Sequence, residues 1–108
     1  MNTLRLTPQA DIDLTEHTTY LAQRDQKSAE RFLNSIQSDL QNLCLHPELG
    51  NERYRDLLPE AGPIRYFPVS NGFSNWLIFY VYASGSILVI RIIHGSRDIP
   101  DLLTGHTE

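Results

Sequence analysis

Toward its C-terminal end the chain carries two runs, Trp76–Ala83 and Ile87–His94, that are apolar or aromatic at nearly every position and are separated by only Ser84-Gly85-Ser86. Runs so rich in β-branched and aromatic residues, joined by so short a glycine-containing turn, predict a β-hairpin. A sheet with one wet face alternates apolar and polar side chains, and these runs do not, so both faces of the hairpin need cover. The rest of the chain, or a partner, has to provide it.

Upstream, Asn2 to Leu6 is a short extended run that ends at Thr7-Pro8. Thr7 can cap a helix, and Pro8 suits the first turn, where no amide donor is needed. Ala10, Leu14, His17 or Thr18, and Leu21 recur at intervals of three and four, predicting a helix to about Arg24 with His17 half-buried in its stripe. Asp25 can cap a second helix, in which Ala29, Phe32, Leu33, Ile36, Leu40, Leu43 and Cys44 form one face. His46-Pro47 closes it, because a residue before proline is pushed out of helical geometry. Glu48 to Pro63 reads as an irregular surface connection, and Ile64 to Val69 as a further strand. The expected fold class is α+β: an N-terminal strand, a two-helix hairpin, then antiparallel strands in a roughly four-stranded sheet, all within one domain over residues 1–108. The helical hairpin can cover one sheet face; the other falls to the C-terminal segment, a second copy in a homodimer, or another protein.

Composition narrows function by exclusion. The net charge is -4 at pH 7, whereas a protein that tracks nucleic acid displaces phosphate counterions with a basic surface, so no direct sequence-specific DNA binding is expected. Lys27 is the sole lysine, and the other cations are eight arginines. Three of the thirteen acidic residues lie in the last eleven positions, so local basic patches on the remaining body stay open. The lone Cys44 has no disulfide partner and reads as a small buried hydrophobe. Nothing suggests a signal peptide or a membrane span, which needs about 18 or more apolar residues in succession. A cytoplasmic protein without cofactor or metal is expected.

Several phrases carry a resemblance. Leu6-Thr-Pro-Gln-Ala10 with Asp13-Leu14, Ala29-Glu30-Arg31-Phe32-Leu33, His46-Pro47-Glu48-Leu49-Gly50, Arg65-Tyr66-Phe67-Pro68-Val69, Leu77-Ile78-Phe79-Tyr80 and Ile92-Ile93-His94-Gly95-Ser96-Arg97-Asp98-Ile99-Pro100 follow one another in order. Together they resemble the ParE/RelE superfamily of toxins, and the last phrase is similar to the ParE ending. The resemblance implies the toxin of a type II toxin-antitoxin system of the plasmid-stabilisation kind, neutralised by a cognate ParD-like antitoxin whose flexible segment wraps it.

Within that superfamily two activities compete. RelE-type members cut messenger RNA on the ribosome, which requires a base, an acid and cations around the phosphate. Where such nucleases tend to place an arginine after an aromatic residue in the third strand, this chain has Leu77 after Trp76; where they carry a tyrosine beyond the terminal arginine-aspartate, it has Pro100. Arg65, Arg91, His94 and Arg97 remain as the residues a nuclease could use. ParE-type members are associated with inhibition of DNA gyrase, a binding activity and not an enzymatic one, and the chain resembles these more. Arg65, Trp76, Phe79, Arg91, His94 and Arg97 are then the candidates for contact with target or antitoxin. An inactive antitoxin-binding homologue is the third reading.

Overall fold

The computed structural model describes residues 2–105. Strand β1 (Thr3–Leu6) leads into helices α1 (Pro8–Arg24) and α2 (Gln26–Leu45), a 3-10 turn (Pro47–Leu49), strands β2 (Ile64–Pro68), β3 (Trp76–Ala83) and β4 (Ser86–His94), and a short helix α3 (Ile99–Thr104). Local chemistry sets these boundaries. The Thr7 hydroxyl accepts from the Ala10 amide at 3.0 Å at the head of α1. Asp25 then serves both helices: its own N–H donates to Leu21 O at 2.8 Å, ending α1, and its carboxylate accepts from the Lys27 amide at 3.2 Å, starting α2. A single residue therefore makes the corner of the helical hairpin.

The sheet order is β1-β4-β3-β2. The β2–β3 and β3–β4 pairs are antiparallel, as the runs predict, while β1 enters beside β4 in parallel, making the sheet mixed. The two-helix crossover permits this, since a parallel neighbour needs a long connection and α1 with α2 supplies one. Between β3 and β4 the register slips: Phe79 faces Arg91 but Tyr80 faces Val89, leaving Ile90 as an extra residue. That bulge changes the side-chain parity of β4, so Ile92 joins Ile87 and Val89 on the helix-covered face while Ile93 turns to the other.

On the first face, Ala29, Phe32, Ile36, Leu40, Leu43 and Cys44 of α2 meet Ile78, Tyr80, Ile87, Val89 and Ile92. Leu33, expected in that stripe, is 41% exposed, because α2 turns its flank away from the sheet there. Two polar residues take stripe positions instead. Buried Asp39 accepts from the Ser70 amide at 2.8 Å, and buried Ser35 accepts from the Asn71 amide group at 3.1 Å, tying α2 to the β2–β3 turn.

The second face is closed by the chain itself. Ile99 and Leu103 of α3 pack with Ile64, Phe79 and Ile93, and Tyr54, Leu57 and Leu58 of the 50–63 connection pack against them. That connection therefore is not merely a surface loop. Its near end is fixed by Tyr80, whose hydroxyl donates to Pro47 O at 2.5 Å and accepts from the Gly50 amide at 2.8 Å. Burial pushes the Tyr80 phenol above its ordinary value of 10.0, against the lowering effect of the Gly50 N–H. A raised folded-state value means the unfolded chain loses this proton first, so the contribution is intact below pH 10.0 and lost as pH climbs through the folded value. Urea melts at increasing alkaline pH are expected to show a steeper loss of stability in the native chain than in Tyr80→Phe. Equal slopes would contradict it.

Candidate functional site

Two of the arginines singled out from sequence are occupied internally. Arg65 on β2 donates through Nη1 to Glu48 O and Gly50 O, both at 3.0 Å, and through Nη2 to Glu52 at 2.7 Å. It clamps the same connection that Tyr80 holds. Arg91 on β4 places Nε 2.7 Å and Nη2 3.1 Å from the two oxygens of buried Asp13, while Nη1 donates to Leu102 O at 3.1 Å. This fork ties α1, β4 and α3 together. Phe79 is wholly buried in the second-face cluster, tilted against Tyr54 and Tyr66, so this contact candidate is an interior side chain in the folded protein.

The remaining candidates, Trp76, His94 and Arg97, converge. Trp76 opens β3 and His94 ends β4 directly opposite it, with ring centroids 4.7 Å apart and planes at 88°. Behind Trp76 stand Phe32 and Phe73, edge-on at 5.5 and 6.0 Å. The indole N–H is buried and has no acceptor among the described residues. After His94 the chain turns sharply: Arg97 N–H returns to His94 O at 3.0 Å, and Gly95 N–H bonds Asn75 O at 2.6 Å. A Cβ at Gly95 would stand 3.2 Å from Asn75 O, so this close approach favours glycine. His94 Nδ1 accepts from the Ser96 amide at 3.2 Å and lies 2.7 Å from its hydroxyl, which puts the proton of the neutral ring on Nε2. Asp98 turns away to cap α3, accepting from the Asp101 amide at 3.3 Å.

Helix α1 supplies the facing wall. His17 Nε2 bonds Ile92 O at 2.8 Å, and Tyr20, 50% exposed, stands one turn further on. Together His17, Tyr20, Trp76, His94, Ser96 and Arg97 enclose an open cavity of about 350 Å³. A smaller, more polar hollow of about 120 Å³ adjoins it across His17, His94 and Arg97. Sequence reasoning left Asp13 and Tyr20 out of the site and gave His17 only a place in the stripe. A signal existed: Gln9, Asp13 and His17 follow at intervals of four, a polar line along a helix that otherwise buries apolar residues.

Chemically, the arrangement offers a guanidinium, an imidazole and aromatic walls, groups that suit both anion binding and phosphate chemistry. Among the described residues no three His, Cys, Asp or Glu side chains gather as a metal site. Nor, among them, is any helix long and apolar enough to cross a membrane.

A β-strand, a two-helix hairpin and a mixed four-stranded sheet closed by a short C-terminal helix define the ParE-like class of α+β fold. The chain matches the family described as "ParE toxin of type II toxin-antitoxin system, parDE" over residues 4–99, and it belongs to that family. It is also similar to a solved structure described as the chromosomal ParDE TA system from P. aeruginosa, with a TM-score of 0.65 and 18% identity over 87% of this chain and 96% of that one. At that identity the likeness is one of fold. No curated protein matches the chain.

Proposed function

We propose that residues 1–108 form a single toxin domain that acts in the cytoplasm, is neutralised by a ParD-like antitoxin, and poisons DNA gyrase by binding instead of cutting RNA. One observation carries this reading: Arg65 and Arg91, two of the cations a nuclease would turn toward a scissile phosphate, are spent on Glu52, Asp13 and backbone carbonyls. Pentavalent phosphate needs several preorganised cations, and releasing Arg91 would leave buried Asp13 without its counter-charge, while releasing Arg65 would free the carbonyl of buried Gly50 and the Glu52 carboxylate. For the antitoxin, closure of the second face by α3 directs attention to the helix side. A hollow of about 410 Å³ between β1 and α2, lined by Leu4, Leu40 and Cys44 with Gln37 and Gln41, offers an apolar seat there.

His94 and Arg97 remain accessible, and they favour the nuclease as the second reading. Expression without antitoxin separates the two. The SOS response and gyrase-linked double-strand breaks are expected, with messages on ribosomes left intact. Sharp new message ends that vanish in His94→Ala, while the variant still melts cooperatively, would overturn the gyrase reading.

A further inference from the structure

Two sides of the cavity between α1 and the end of β4 are held in place. Trp76 is wedged by Phe32, Phe73, His17 and His94. The turn from His94 to Arg97 is held by its own hydrogen bond and by Asn75. We infer that this cavity is a mononucleotide site, in which the base lies against Trp76 and Tyr20 and the phosphate is taken by Arg97 and His94.

The walls favour a planar ring. Tyr20 is half exposed although it is aromatic, and it faces a space shared with Trp76. Nucleobases stack on such side chains whatever their identity, because every base has a π-face. The donors favour a phosphate. Arg97 lies within ion-pair distance of no carboxylate among the described residues, for its neighbour Asp98 is committed to capping α3. Because Ser96 occupies His94 Nδ1, Nε2–H is the ring donor left for a ligand. Arg24 is bonded to the Tyr20 hydroxyl at 3.2 Å and lies outside the lining of the cavity. Glu16 borders the adjoining polar hollow and not this cavity.

Size and charge limit the ligand to one nucleotide. At about 350 Å³ the cavity is at the small end of the range for small-molecule sites, roughly 300 to 1,000 Å³. A run of bases would need further platforms and a basic track, and the net charge of -4 argues against the track. This inference does not rest on gyrase as the target, which is tested separately in cells.

Trp76 is the sole tryptophan, so its fluorescence reports on the cavity directly. The purified full chain should be titrated with AMP, adenosine, inorganic phosphate and a short oligoadenylate, with calorimetry run in parallel. AMP is expected to quench Trp76 saturably, and adenosine to bind at least about tenfold more weakly, as loss of a charge-assisted contact implies. Arg97→Ala and Tyr20→Ala should each weaken AMP by about tenfold while their melting curves stay native. Three results would overturn the proposal: no saturable AMP binding, adenosine binding as tightly as AMP, or Arg97→Ala binding like the native chain. Oligoadenylate binding that tightens with its length would also overturn it, in favour of a strand site.

Discussion

Asp13→Ala is expected to lower folding stability by about 3 kcal/mol, the low end of the range for breaking a buried ion pair. Asp13 is 4% exposed and accepts from Arg91 Nε and Nη2, from the Ile92 amide at 3.0 Å and from the Gln9 side chain at 3.0 Å. Alanine would leave a guanidinium without its counter-charge and a buried β4 amide without an acceptor, and each carries a desolvation penalty. The Arg91 side chain keeps 23% of its surface exposed, so water relieves part of the cost and the low end applies. Because the same guanidinium holds Leu102 O, amide exchange in α3 should accelerate in this variant. Asp13→Asn retains an acceptor and should lose less, and Asp13→Ala with Arg91→Met should regain part of the single-variant loss. Urea denaturation decides it: a midpoint for Asp13→Ala indistinguishable from the native one would show that the fork contributes nothing.

Gly50→Ala should be nearly as damaging, by about 2–3 kcal/mol, through overpacking. A Cβ there would collide with the Tyr80 hydroxyl and stand 2.7 Å from Arg65 Cβ and 2.8 Å from Tyr80 Cε1. The backbone at Gly50 is ordinary, with φ -68 and ψ 151, so the cost is steric and not conformational. Neither neighbour can yield cheaply, since Tyr80 is wholly buried and Arg65 is held by Glu52 and two carbonyls. Tyr80→Phe removes the colliding oxygen, so Gly50→Ala should cost less in that background than in the native chain. Additive losses in thermal or urea melts would refute the hydroxyl's part in the collision. A native-like Gly50→Ala would place the connection elsewhere.

The helical hairpin and the β3–β4 hairpin were legible in the sequence because their signals are local. Thr7 and Asp25 sit where helices begin, the three-four spacing of Phe32, Ile36, Leu40 and Leu43 marks one buried face, and the apolar runs flank Ser84-Gly85-Ser86. The ParE resemblance was legible too, in phrases spread along the order of the chain, and the family match bears it out. Less of the candidate site could be read. Trp76, His94 and Arg97 do meet in one cavity, but the arginines at 65 and 91 looked equally available beside them.

The sequence by itself determined the elements, their caps and the demand that the hairpin be covered on both faces, since helical hydrogen bonds and side-chain periodicity act over a few residues. Tertiary structure alone decided how that demand is met. It set β1 parallel to β4, closed the second face with α3 and the Tyr54 segment, and left Leu33 outside. It also decided which cations are free. An arginine's charge is written in the sequence, but whether it is spent depends on partners brought from far along the chain, as Asp13 is to Arg91 across 78 residues. Chain topology and the β4 bulge select that partner, and no pattern within β4 specifies it.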